Sequence, residues 1–119
     1  MAAPNIVNVT SIYGKTMGAA LGTTTTTSLL TCASNKLLKI NSIIVANKDG
    51  STSADATVIF YSGSSYYLAY TIPVPADATM IVLGKDAPLY LEEADEIRGG
   101  ASANGDLDII ISYEELDDA

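Results

Sequence analysis

The fold is decided by the stretch Leu107-Asp108-Ile109-Ile110-Ile111-Ser112-Tyr113. Every second residue of this stretch is apolar or aromatic. Such a period of two is typical of a β-strand with one buried face. We therefore predict a strand here that presents one face to the core, formed by Leu107, Ile109, Ile111 and Tyr113.

The same period recurs outward along the chain. It predicts strands at residues 6–13, 37–46, 54–61, 66–72, 79–84, 88–91 and 96–101. Pro73 and Pro75 should take the chain out of the sheet, since proline cannot donate to the ladder. Asn104-Gly105 predicts a hairpin turn before the last strand. Residues 14–22, rich in Gly and Ala, remain ambiguous, and the threonine run 23–27 is an edge strand or a loop.

About eight short strands without a helical pattern predict an all-β fold. We expect an antiparallel β-sandwich with jelly-roll or Greek-key connections. One domain should span residues 1–119, in which residues 1–22 can form an extended arm and 114–119 an acidic tail. The residues predicted to be buried are Val58, Phe60, Leu68, Ile109 and Ile111.

The composition limits what the protein can bind. The formal charge is −8, and the six basic residues are scattered along the chain. Nucleic-acid phosphates and anionic membrane surfaces require clustered Lys and Arg, so we expect neither as a partner. Hydrophobic residues make up 48% of a chain of only 119 residues, which indicates that another subunit covers part of its surface.

Enzymatic chemistry has few suitable residues in this sequence. Histidine is absent, which removes the commonest general base and the most frequent zinc ligand. The one cysteine, Cys32, lies in an apolar segment without a cationic neighbour and is expected to be a buried, unreactive thiol. We expect no catalytic residue, no cofactor and no enzymatic activity. The first residues also lack the features of a signal peptide, so we expect synthesis in a cytoplasm.

One acidic cluster and one aromatic cluster are candidate sites. Glu92, Glu93 and Asp95 lie in one predicted turn, where a hydrated surface turn is the ordinary interpretation and a calcium site the weaker one. Four tyrosines lie close together in the predicted hairpin at 54–72. Core packing, a protein interface and a carbohydrate site all remain open for them. They are Tyr61, Tyr66, Tyr67 and Tyr70.

Several segments carry a family resemblance. They are Thr71-Ile72-Pro73-Val74-Pro75-Ala76-Asp77-Ala78-Thr79, Leu89-Tyr90-Leu91-Glu92-Glu93-Ala94-Asp95-Glu96-Ile97, Ser112-Tyr113-Glu114-Glu115, and the opening Asn5-Ile6-Val7-Asn8-Val9-Thr10 followed by Gly14-Lys15-Thr16. Together they resemble small β-sandwich virion proteins of tailed bacteriophages, the marine cyanophage-like ones in particular. The turn after the short strand usually reads Glu-Gly-Asp in such proteins. Here Ala94 replaces that glycine, which puts the geometry of the turn in question.

The resemblance implies a structural protein of the virion, in the first place a head decoration or cement subunit that acts through protein–protein contacts. Its partners would be copies of itself, with a trimer as the first expectation, and the major capsid protein or other virion proteins. The candidate partner-binding residues are Ile6, Val7 and Val9 together with the four tyrosines. The alternative is a tail or collar component, or a host-glycan-binding module assisted by calcium.

Overall fold

The computed structural model describes residues 11–84, 86 and 88–117. Across these residues the chain forms strands and no helix, so none of them belongs to a helix that could cross a membrane. The strands are β1 (Ser11–Ala20), β2 (Ser28–Thr31), β3 (Lys36–Asn47), β4 (Ala54–Tyr61), β5 (Ser65–Val74), β6 (Thr79–Leu83), β7 (Leu89–Leu91), β8 (Glu96–Ala101) and β9 (Leu107–Asp117).

The strands form two antiparallel sheets with nested pairing. Sheet A has the order β1-β9-β3-β6, and β7 pairs with β3 beside β6. Sheet B has the order β2-β8-β4-β5. The first strand thus pairs with the last, the second with the one before it, and β4 with β5 in the middle. This nesting is that of a jelly-roll β-sandwich, which confirms the predicted fold class.

The core lies between the sheets and is centred on β3 and β9. Ile43 pairs with Ile111 and Val45 with Ile109, and all four side chains are completely buried. The predicted burial of Val58, Ile109 and Ile111 is confirmed. Phe60 and Leu68 are only partly buried and pack against the core from its margin. Phe60 lies near the end of β4, and Leu68 falls in a register shift of the edge strand β5, so neither is enclosed on all sides.

Two turn predictions are corrected by the topology. Pro73 stays in the sheet and lies opposite Asp55, because β5 is an edge strand on which a missing N–H costs no ladder bond. Asn104-Gly105 does not close a hairpin. β8 belongs to sheet B and β9 to sheet A, so this turn carries the chain from one sheet to the other. Gly105 adopts a φ of 84° there, which favours glycine.

The expected arm and tail are largely strands. Residues 11–20 form β1 in sheet A, and residues 114–117 extend β9 between β1 and β3. Both segments are held because the long β9 offers pairing partners on its two sides. The threonine run is a loop between β1 and β2. Residues 1–10 of the expected arm lie outside the described residues.

Gly99 and Gly100 allow β8 to lie unusually close to its neighbours. A Cβ atom on Gly99 would come within 2.7 Å of the carbonyl oxygen of Thr57. One on Gly100 would come within 2.6 Å of the carbonyl oxygen of Thr24. Since these contacts are with backbone atoms, a side chain at either position would push apart β8 and the segment that it touches.

Candidate functional site

The acidic turn between β7 and β8 is tied together by its own carboxylate. Asp95 is buried, and its Oδ2 accepts the backbone N–H of Glu92 at 3.0 Å, while the Asp95 N–H donates to the Glu92 carbonyl. Glu92 is exposed and Glu93 half-buried. Across residues 11–84, 86 and 88–117, no group of three or more acidic, Cys or His side chains is placed to hold a metal ion. The structure thus does not bring Glu92, Glu93 and Asp95 together as calcium ligands.

Ala94 takes a backbone conformation that glycine adopts more readily than alanine. Its φ is 69°, in the left-handed region that L-residues avoid. The bond from the Asp95 N–H to the Glu92 carbonyl closes a four-residue turn with Ala94 in the third position, where type II turns favour glycine. The Ala94 N–H also donates to the Cys32 carbonyl. The tight turn is therefore kept at the cost of backbone strain.

Cys32 is buried, as predicted, and the structure adds a hydrogen bond from its thiol. Its Sγ donates to the carbonyl oxygen of Lys36 at 3.2 Å, and its side chain is enclosed by the core. Burial raises the pKa of the Cys32 thiol to about 11, so the reactive thiolate is scarce at neutral pH.

Three of the four clustered tyrosines are exposed on β5. Tyr67 and Tyr70 contact each other edge to face, with ring centroids 4.8 Å apart. Tyr66 is equally exposed, but it lies opposite Phe60, on the side of sheet B that faces the core. The structure therefore joins Tyr67 with Tyr70 and separates Tyr66 from both.

Tyr61 belongs to a charged cluster beside the tyrosine pair. The Arg98 guanidinium lies over its ring, 3.5 Å from the centroid, and donates to both carboxylate oxygens of Glu96. These bonds hold the pKa of Glu96 below its usual value. Ile59 points outward in the same sheet between Arg98 and Tyr67, yet is only 1% exposed. We call the surface of Tyr61, Tyr67, Tyr70, Glu96 and Arg98 the tyrosine face.

A row of isoleucines crosses the outer face of sheet A. Ile44 pairs with Ile110 on one side and with Ile81 on the other. Ile81 is 69% exposed and Ile110 38%. Part of the high apolar content of the sequence thus lies on the surface, where it is available for contacts with another molecule.

Within residues 11–84, 86 and 88–117, three of the four sheet edges carry features that obstruct pairing with another chain. The edge strand β2 has four residues and a register shift, and β5 contains Pro73 and two register shifts. The edge formed by β6 and β7 is split into two short strands. Short length, bulges and proline are among the means by which natural sheets avoid adding strands, and charged side chains are another.

The fourth edge, β1, lacks these features. It has ten residues and no proline, and it pairs with β9 without a register shift. Among the described residues no strand lies on its other side. Its one charged residue is Lys15, whose Nζ is 3.2 Å from Glu115 of β9. β1 therefore presents a long, regular row of backbone groups to solvent.

The register shows which backbone groups of β1 point outward. The N–H of Leu21, directly after β1, donates to the carbonyl of Leu107 on β9. Antiparallel strands alternate between residues bonded to the partner and residues turned away, and the register from Ser11 to Ala20 is unbroken. The N–H and C=O groups that point away from β9 are thus those of Ile12, Gly14, Thr16, Gly18 and Ala20.

The sequence predicted an extended arm over residues 1–22, and it did not predict that residues 11–20 form a regular edge strand of sheet A. Gly14 to Gly22 shows no clear alternation, and the candidate residues Ile6, Val7 and Val9 lie just before it, outside the described residues. The signals that could have found it are the absence of proline and the single lysine over residues 11–20.

Comparison with known proteins gives a likeness of fold alone. No protein-family model and no curated protein matches the chain. Among solved structures, the chain is similar to a protein of Bacillus endospore appendages, which form a novel family of disulfide-linked pili. The TM-score is 0.52 and the identity 14%, over 92% of this chain and 88% of that chain. The likeness supports a small β-rich fold and does not extend to a phage origin.

The strain at Ala94 leads to a stability prediction. Ala94→Gly should raise the free energy of unfolding by about 1 kcal/mol, because glycine adopts the left-handed conformation without a steric penalty. Chemical denaturation measures this change. Ala33→Gly, in an exposed loop without positive φ, is the matched control and should be destabilising. A loss of stability in Ala94→Gly as large as in the control would contradict the assignment of strain.

Proposed function

We propose that this chain is a non-enzymatic structural subunit that is present in many copies, that it associates through the open edge of β1, and that its place is the surface of a virion. The observation that carries the proposal is the contrast among the four edges. β1 alone combines length, regular pairing and the absence of proline.

An open edge has a physical consequence. Its unpaired N–H and C=O groups can form a full ladder with a strand of another chain, so a long regular edge favours association. A protein that acts as a monomer gains from obstructing such an edge, as the other three edges are obstructed here. A subunit that must assemble gains from leaving one open. The exposed isoleucine row of sheet A adds apolar surface that neighbouring subunits can cover.

The structural neighbour is compatible with a role in assembly. That neighbour belongs to endospore appendages that are pili, so a fold of this kind serves in a structural assembly there. We do not propose disulfide linkage for this chain, because Cys32 is buried and the pKa of its thiol is raised. We propose non-covalent edge pairing as the means of association for this chain.

The choice of a virion rests on the sequence resemblance. On this proposal the subunit decorates the phage head and contacts copies of itself and the major capsid protein. A tail or collar position would use the same contacts. Binding to purified capsids, measured by co-sedimentation, distinguishes the head position from a tail position.

Thr16→Pro tests the role of the β1 edge. The N–H of Thr16 points away from β9, so proline removes a donor from the open edge and leaves the bonds to β9 in place. We expect this variant to remain folded by circular dichroism and to lose self-association in light scattering. Thr16→Ala is the matched control and should associate like the unmodified protein. A folded Thr16→Pro variant that assembles normally would refute the proposed use of this edge.

A second candidate function is glycan binding by the tyrosine face. The exposed pair Tyr67 and Tyr70 can stack on the apolar face of a sugar ring, and Glu96 with Arg98 supplies hydrogen-bonding groups beside it. This arrangement favours a neutral oligosaccharide lying along β5, without calcium.

Glycan-array binding followed by calorimetry tests the second candidate. Tyr67→Ala should weaken the affinity for a bound oligosaccharide about tenfold, the loss of one stacking contact of about 1.4 kcal/mol. Tyr66 is equally exposed but lies on the core side of sheet B, so Tyr66→Ala should change this affinity little. Equal losses in the two variants, or no binding by the unmodified protein, would remove this candidate.

A further inference from the structure

We infer that the occupant of the open edge is β1 of a second copy, paired antiparallel about a two-fold axis at Thr16, so that the two sheets A join into one continuous sheet. This inference rests on the proposed function and names its partner and register. Three features of β1 determine the register: the direction of its backbone groups, the position of its one charge and the sizes of its side chains.

Backbone direction limits the registers that are allowed. Ile12, Gly14, Thr16, Gly18 and Ala20 carry the outward N–H and C=O groups, so a ladder between two copies must place members of this set opposite one another. Two registers then give the longest overlap of the two strands. In one, Thr16 faces Thr16 of the second copy. In the other, Lys15 faces Lys15.

The charge of Lys15 separates these two registers. Like charges directly opposite each other destabilise a pair of strands. In the Lys15 register the two ammonium groups face each other across the new pair. In the Thr16 register Lys15 lies opposite Met17 of the second copy, and each ammonium keeps its ion pair with Glu115 of its own sheet. Charge therefore favours the Thr16 register.

Side-chain size favours the same register. Ile12 then faces Ala20, and Tyr13 faces Ala19, whereas in the Lys15 register Tyr13 would face the larger Met17. Near the axis Gly14 faces Gly18 and Thr16 faces Thr16, which leaves room for close approach. Ile12 and Tyr13 are 58% and 49% exposed in the single chain, and this pairing covers them.

The resulting dimer is closed and isologous. The same strand is used on both copies, so the pairing ends at two and further growth must use other surfaces, such as the isoleucine row or the capsid. The edge therefore favours a two-fold unit over the trimer expected from the sequence.

Cysteine cross-linking in the full chain tests the register. Thr16→Cys alone should form a covalent dimer under mild oxidation, and a mixture of Gly14→Cys with Gly18→Cys should form a mixed dimer. A Cβ meets nothing within 4 Å at Gly14 and only an ordinary contact at 3.8 Å at Gly18, so both positions accept a side chain. Cys32 is buried, and the unmodified protein should stay uncross-linked. These reactions should run about tenfold faster than formation of the mixed disulfide between Gly14→Cys and Thr16→Cys, which is told apart from the Thr16→Cys homodimer by its mass and whose sulfurs are too far apart in this register.

The failures of the two proposals can be distinguished. Rapid cross-linking of Gly14→Cys with Thr16→Cys would overturn the Thr16 register in favour of the Lys15 register. No cross-linking in a protein that associates and is still disrupted by Thr16→Pro would overturn the pairing of β1 with β1, while the proposed use of the edge would stand. A protein that is monomeric at all concentrations in the absence of capsids, and that binds capsids equally well with Thr16→Pro, would overturn both.

Discussion

The antiparallel pairing of β3 with β9 is the interaction on which the rest of the structure depends. It aligns Ile43 with Ile111 and Val45 with Ile109, and these side chains form the centre of the core. A register shift next to Asn41 adjusts the phase of β3, so that apolar residues before and after it face inward. Because β9 is the last strand and β3 an early one, this pairing joins distant parts of the sequence, with β4 to β8 between them along the chain.

The position of β9 also determines where the protein can associate. β9 pairs with β3 on one side, and the backbone groups on its other side pair with β1 from Asp108 to Asp117. β1 in turn has nothing described on its outer side. The strand that completes the sheet thus becomes its open edge. The remaining edges are short, split or interrupted by proline, so the edge pairing that we propose can use only β1 among the described strands.

Local signals predicted the strands better than their arrangement. The alternation over residues 54–61 matches β4, and the most apolar segment forms the central strand β3. Asn104-Gly105 was predicted as a hairpin because the motif describes only the local turn, whereas tertiary packing decides which sheet the next strand joins. The pattern missed β1, because its outward positions include Gly14 and Gly18, which carry no hydropathy signal. The left-handed backbone conformation of Ala94 is one that alanine disfavours, and the hydrogen bonds of the buried Asp95 hold the turn in it.

Amide hydrogen exchange along β1, measured residue by residue at high and low protein concentration, is the direct test of assembly through this edge. The amides of Lys15, Met17 and Ala19 bond to β9 in every state and should be protected throughout. The amides of Gly14, Thr16 and Gly18 should exchange rapidly in the dilute single chain and become protected when the protein associates. Unchanged, rapid exchange of these three amides in the associated protein would contradict assembly through the edge of β1.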